Sequence, residues 1–166
     1  MENFEFVEKI FSSFGYLGIF FLMALESTAT PVASEVVMGL AGFLVAKGIF
    51  NFFWASFYGA LGSLVGSLFS YLIGLLIYEF LEKFLKDKSF FYKKLQKSKE
   101  LVRDYGMIGI FVGRFLPGVR HFISFPAGFF KMNLFVFSLA TFLGSFIWCS
   151  LLVLLAKNLQ QFILSF

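Results

Sequence analysis

The chain has 166 residues, 59% of them hydrophobic and only 14% charged, with a mean hydropathy of +0.85 and a formal net charge of +4. A water-soluble domain of this size cannot bury so much apolar surface, so the composition excludes a solvated enzyme or binding module and defines an integral membrane protein. The 28 phenylalanines need lipid to cover some of their rings, and a single cysteine, Cys149, excludes both an intrachain disulfide and a cysteine metal cluster.

In chain order, Met1 to Lys9 carry Glu2, Glu5 and Glu8 against Lys9, the wrong sign for the basic start of a secretory signal, so the N-terminus is expected to be retained. Ile10 to Phe50 is apolar at both ends but interrupted by Glu26, Pro31 and Glu35. Phe52 to Tyr78 exceeds the roughly 20 apolar residues that a bilayer requires and reads as an ordinary span. The segment from Glu79 to Asp104 holds seven lysines and Arg103 against five acids. The positive-inside bias puts it in the cytoplasm, and Phe80, Phe84, Leu85, Phe91 and Leu95 suit interfacial amphipathic helix. Its basic charge adjoins membrane spans, so no nucleic-acid partner is expected. Tyr105 to Phe130 repeats the interrupted pattern around Arg114, Pro117, Gly118, Arg120 and Pro126, and Leu134 to Ala156 reads as a second span. Proline removes a backbone donor and disfavours helix just before it, so the three prolines mark breaks. Non-helical backbone at membrane depth must be covered by protein or line a cavity, which favours re-entrant hairpins.

The two halves match. Leu17-Gly-Ile-Phe-Phe21 corresponds to Ile108-Gly-Ile-Phe-Val112, and Ala41-Gly-Phe43 to Ala127-Gly-Phe129. Phe53, Ser56 and Leu61-Gly-Ser63 recur with identical spacing as Phe135, Ser138 and Leu143-Gly-Ser145. The expected fold is therefore an all-α integral membrane protein forming one domain of two repeats, about 10–78 and 105–157, joined by the basic connector 79–104. Each repeat would be a broken or re-entrant helical hairpin followed by a transmembrane helix. One hairpin and one crossing per repeat invert the second repeat relative to the first, bringing both interrupted elements to the midplane.

Arg114 and Arg120 demand a reason, because a charge at bilayer depth costs at least ~2.5–3.5 kcal/mol per arginine. The matching partners are Glu26 and Glu35. Apolar surroundings raise a glutamate pKa and a nearby arginine lowers it, so such a cluster changes protonation when its geometry changes, which suits proton coupling. Arginine's forked donors match phosphate and keep their charge when buried, which makes anionic headgroups the candidate cargo. Unwound backbone at Pro31 or Pro117-Gly118 would add helix-end amide groups that favour anions. His121 is a candidate proton relay, with a structural hydrogen-bond donor as the plainer role. Lys131 reads as a snorkelling boundary residue, Trp54, Tyr58, Tyr71 and Trp148 as packing or interfacial residues, and Gly59, Gly62, Gly66 and Gly74 as a close-packing helix face. No nucleophile elbow, phosphate loop or metal-ligand cluster is present, so neither an enzyme, a metal nor a cofactor is expected. The plain alternative is that the four charges pair to hold the hairpins together.

The blocks Glu26-x-x-x-x-Pro31-x-x-Ser-Glu35, Ala41-Gly-Phe43 with Gly48, Gly62 to Gly74 with Tyr71, Arg114-Phe-x-Pro117-x-x-Arg120 and Ala127-Gly128 resemble the DedA family of bacterial membrane proteins, also described by the VTT domain, over most of the chain. The resemblance implies that Glu26, Glu35, Arg114 and Arg120 are essential. It also implies a multi-pass protein of the bacterial cytoplasmic (inner) membrane that translocates lipid, chiefly undecaprenyl phosphate, using the proton motive force. Phosphatidylethanolamine translocation, general phospholipid scrambling and proton-coupled transport of a small solute are the alternatives, and both a monomer and a homodimer fit. Ala33 and Ser34 stand where many relatives have proline or glycine, and the chain ends soon after its second span; both departures bear on the substrate.

Overall fold

The computed structural model describes residues 14–28, 33–85, 106–115 and 123–164, and every regular element among them is helical. Helix α1 is Tyr16–Glu26, α2 Ser34–Ala46 and α3 Phe52–Leu85. Helix α4 covers 106–113, α5 is Ser124–Phe129 and α6 Leu134–Leu164.

Helices α3 and α6 contain the two segments long and apolar enough to cross a membrane, Phe52–Phe80 and Leu134–Phe162, each of 29 residues. Both helices outrun the spans expected from hydropathy. Charged residues such as Glu79, Glu82 and Lys83 are good helix formers, so α3 continues to Leu85 after its apolar run has ended. Phe69, Leu76, Phe135, Leu159 and Phe162 on these helices are largely exposed, as lipid-facing side chains would be. Helix α1, with 11 residues, rises only about 16 Å, and α2, with 13, about 20 Å, both short of a hydrocarbon core about 30 Å thick.

Two compact units partition the chain: Met1–Gly66 with Ser145–Phe166, and Ser67–Gly144. Each contains one pair of short helices, the first half of the long helix that follows the pair, and the second half of the other long helix. In the first unit Gly62 lies against the Phe20 carbonyl and the Met23 side chain. In the second, the corresponding Gly144 lies against Arg114, with a methyl group placed on it 3.1 Å from the Arg114 Cβ and 3.6 Å from the Phe111 carbonyl oxygen. Gly42 of α2 abuts the Val153 carbonyl, and the corresponding Gly128 of α5 abuts the Tyr71 carbonyl. Gly66 packs against the Ala24 carbonyl and Gly74 against that of Phe125, while Gly59 faces Met38 and Cys149. The glycine face expected on α3 is thus where backbones approach most closely.

The turns that enter α3 and α6 are built alike. After α2, Gly48 adopts the left-handed conformation (φ 74°), and the Ile49 N–H donates to the Leu44 carbonyl. After α5, Lys131 does the same (φ 53°), and the Met132 N–H donates to the Ala127 carbonyl. Both are Schellman endings, in which a left-handed residue lets the chain satisfy the last carbonyls of a helix. Asn51 then caps α3 by accepting the Phe53 N–H at 2.9 Å, and Asn133 caps α6 by accepting those of Phe135 at 2.9 Å and Val136 at 3.2 Å.

Pro126, expected as a break, instead occupies the first turn of α5. A helix donates no backbone hydrogen bond there, so a proline is accommodated. Pro31, Pro117, Gly118 and most of the basic connector lie outside the described residues.

Candidate functional site

Arg114 is the residue around which a site is built. It follows the last turn of α4, where its N–H donates to the carbonyls of Ile110 at 3.2 Å and Phe111 at 3.3 Å, and only 4% of its surface is exposed. Its Nη2 donates to Ser67 Oγ on α3 at 2.6 Å, to Ser124 Oγ at the start of α5 at 3.2 Å, and to Thr141 Oγ1 on α6 at 3.2 Å. All three hydroxyl residues are buried. Three helices thus converge on one guanidinium, which fixes its direction as well as its depth.

A hydroxyl accepts a hydrogen bond from arginine and keeps its own proton to donate elsewhere. The three hydroxyls therefore solvate the guanidinium from three separate helices. Above them Tyr71 on α3 donates its O–H to the Met132 carbonyl at 2.6 Å and lies 5.0 Å, ring to ring, from Phe137, which ties α3 to the turn before α6.

Sequence reading missed Ser67, Ser124 and Thr141, because serine and threonine in apolar helices commonly bond the carbonyls of their own helix and give no signal by themselves. Ser138 does this here, donating to the Leu134 carbonyl at 2.8 Å. A hint existed in that Ser67 follows Ser63 by one turn on the glycine-bearing face.

Glu26, the last residue of α1, is 2% exposed and is followed by the buried Ser27. Glu35 is exposed in the first turn of α2, where a carboxylate complements the positive end of the helix dipole. The two acids therefore occupy opposite kinds of surroundings on either side of one interruption. Arg120 and His121 lie outside the described residues. Lys131 forms a 3.6 Å ion pair with Glu79 and places its ammonium 4.8 Å from the centre of the Tyr78 ring, so the cation expected to snorkel is held by an acid and an aromatic face of α3. Among the described residues, no group of three or more His, Cys, Asp or Glu side chains could hold a metal ion.

Helices of this length and apolarity, with a buried arginine held by hydroxyls from separate helices, define an all-helical membrane protein. The VTT domain matches residues 30–158, and the chain belongs to that family, the DedA family. Undecaprenyl phosphate transporter A of Staphylococcus aureus is 31% identical over 95% of this chain and 80% of its own length. The membrane protein YkoX of Bacillus subtilis is 39% identical over 90% of this chain and 68% of its own length. A protein of Lactococcus lactis named alkaline phosphatase-like is 33% identical over 93% of this chain and 75% of its own length. No solved structure matches.

Proposed function

We propose that this protein carries a phosphorylated lipid, undecaprenyl phosphate first among the candidates, from one leaflet of the bacterial cytoplasmic membrane to the other, driven by the proton motive force. The observation that carries this reading is the buried Arg114 in its cage of Ser67, Ser124 and Thr141. A phosphate oxygen entering the cage gains a charge-assisted bond from the guanidinium and can receive the hydroxyl protons in addition. The similarity to a protein named as an undecaprenyl phosphate transporter supports the same substrate. Transport rather than catalysis is the reading, and the phosphatase-like name is said of the Lactococcus protein alone.

In this mechanism Arg114 and Arg120 hold the phosphate while the tail stays in lipid. Glu26 takes up a proton, which frees the arginines for phosphate. Deprotonation on the cytoplasmic side restores Glu–Arg pairing and expels the cargo. Glu35 acts as the exposed member of the relay, and His121 passes protons beside Arg120. The repeats are read as inverted, with the interruptions at Pro31 and Pro117-Gly118 forming two re-entrant hairpins. Helices of about 16 and 20 Å, too short to cross alone, support that topology.

The test is leaflet-resolved movement of undecaprenyl phosphate in proteoliposomes, with and without a proton gradient, for the native chain, Arg114→Ala and Arg120→Ala. Gradient-dependent movement by the native protein, lost in both inserted variants, is expected. Full activity in either variant would sink the role given to that arginine. Movement of phosphatidylethanolamine but not of the polyprenyl lipid would replace the substrate.

A further inference from the structure

The second unit contains a cavity of about 170 Å³ lined by Gly106, Gly109, Ile110, Ile123, Pro126 and Ala127. Among the described lining residues none has a polar side chain, and the space opens to the surface, where in a bilayer lipid chains rather than water would meet it. Ile110 and Ala127 are buried at its base, while Gly109 and Pro126 are exposed at its rim. Its position is defined relative to the site, because the Ile110 carbonyl accepts the Arg114 N–H at 3.2 Å. The backbone of one lining residue, Ile110, thus lies one helical turn before that of Arg114.

The corresponding positions of the first unit are packed differently. The corresponding residues there are Gly15, Gly18, Ile19, Val37, Leu40 and Ala41. Ile19, Val37 and Ala41 are completely buried in one core, with Leu40 and Tyr16 packed against it. Tyr16 stacks on Phe50 with ring centres 4.6 Å apart, and its hydroxyl accepts the Asn51 N–H at 2.7 Å. The second unit has Met107 at the place of Tyr16, and Met107 is 45% exposed. Leu40 thus stands where the second unit has Pro126, and the packed Tyr16 where it has the exposed Met107, the two differences that accompany the open space.

We infer that this cavity seats the hydrocarbon chain of the transported lipid at the carbons next to its phosphate, an inference that rests on the phosphate reading of Arg114. Its volume takes one isoprene unit or a short stretch of alkyl chain. Since lipid tails are as apolar as the cavity, the seat adds little affinity through the hydrophobic effect. It holds the chain in a fixed direction while the phosphate is on the guanidinium, and so selects among lipids by the shape of the first few carbons.

The test uses the full chain in nanodiscs and farnesyl phosphate carrying a diazirine in the isoprene unit beside the phosphate, with dodecyl phosphate carrying one at the third carbon as the unbranched arm. After irradiation, mass spectrometry should find the label within 106–110 and 123–127. A methyl group added to Gly109 meets nothing within 4 Å, so Gly109→Leu fills the seat without moving backbone and should cut labelling about tenfold, while Gly109→Ala retains it. Should Gly109→Leu fail to accumulate, Gly109→Cys alkylated after folding fills the same space. Labels elsewhere, or labelling unchanged when the seat is filled, would overturn the inference. Arg114→Ala separates the two claims: label that survives it but not Gly109→Leu keeps the chain seat and removes the phosphate from Arg114, whereas the opposite pattern keeps the phosphate and removes the seat. Labelling by both probes assigns the seat to hydrocarbon chains in general, and labelling by the farnesyl probe alone assigns it to isoprenoids.

Discussion

At the place where the second unit has Arg114, the first has Met23, one turn beyond a shared Gly-Ile-Phe. The residues around the two correspond as well. Ser67 answers to Cys149, Ser124 to Met38 and Thr141 to Gly59, so a cage of hydroxyls in one unit is a cluster of sulfur atoms and a glycine in the other. Met23, Met38 and Cys149 belong to one buried core, and the Met38 and Cys149 sulfurs stand 3.0 and 3.2 Å from a methyl group placed on Gly59. One backbone arrangement has thus received two fillings. The apolar filling needs nothing beyond good packing, since methionine adapts to irregular space. The charged filling needs every hydroxyl, because a guanidinium at this depth is costly unless solvated from within. The first unit therefore shows what packing alone needs at these positions, and its differences from the second are where the proposed site lies.

Exchanging the two fillings breaks this comparison most severely. Met23→Arg would place a guanidinium among Met38, Cys149 and Gly59, none of which carries a hydroxyl. It should cost about 3–5 kcal/mol and leave little folded protein, read as a thermal transition in detergent or as yield of inserted chain. Arg114→Met copies the apolar unit into the polar one. Replacing a whole buried ion pair by hydrophobic residues is often neutral, but here the three hydroxyls stay behind without their donor, so this variant should lose about 1–3 kcal/mol and still move no lipid. A strongly destabilised Arg114→Met would mean that the arginine holds the fold, and the structural-pair reading of the charges would then replace the transport reading.

The sequence made the class, the two long helices and the oddity of Arg114, a charge in an apolar stretch, legible, because each follows from a large energy: burying apolar surface, spanning lipid, or placing charge in it. The hydroxyl cage and the cavity were not legible. Both depend on which faces of α3, α4, α5 and α6 meet, and a serine that solvates an arginine looks the same in sequence as Ser138, which bonds its own helix. The correspondence of Met23 with Arg114 could have been found by extending the Gly-Ile-Phe match three residues, but its meaning needed the neighbours. Pro126 was misread as a break because proline is tolerated in a first turn, and only the helix start at Ser124 shows which case applies. The expected meeting of Glu26 and Glu35 with Arg120 falls partly outside the described residues and remains a proposal.

A smaller effect separates the glycines that carry these contacts. A methyl group on Gly62 runs into the Phe20 carbonyl, part of a rigid helix, whereas on Gly144 its nearest neighbours are Cβ and Cγ of Arg114 at 3.1 and 3.2 Å. Gly62→Ala must push α1 from α3 and should cost about 3 kcal/mol, near the upper end for overpacking. Gly144→Ala should cost only about 1 kcal/mol, because a side chain can yield by a few tenths of an ångström. The displaced side chain is the one proposed to hold phosphate. Gly144→Ala should therefore lower transport out of proportion to its stability, and Gly62→Ala should do the reverse. Equal loss of both quantities in the two variants would deny the division between scaffold and site.

The smallest expected effect lies at the two similar turns, where the left-handed residue is Gly48 in one unit and Lys131 in the other. Glycine adopts this conformation without penalty, while a residue with a Cβ is disfavoured by about 1–2 kcal/mol. Gly48→Lys should therefore destabilise by about that amount, since a methyl group placed on Gly48 meets nothing within 4 Å among the described residues to offset it. Lys131→Gly relieves the same strain but gives up the 3.6 Å contact with Glu79, which is half-exposed and worth less than about 1 kcal/mol, and the cation–π contact with Tyr78. Glycine also has more conformational freedom to lose on folding, by roughly 0.5–1 kcal/mol. The two sides nearly cancel, so the melting transition of Lys131→Gly should stay within about 0.5 kcal/mol of the native protein. A loss above about 1.5 kcal/mol would mean that the Lys131–Glu79–Tyr78 cluster clamps the end of α5 to α3, so that the turn after α5 would be the more tightly fastened of the two.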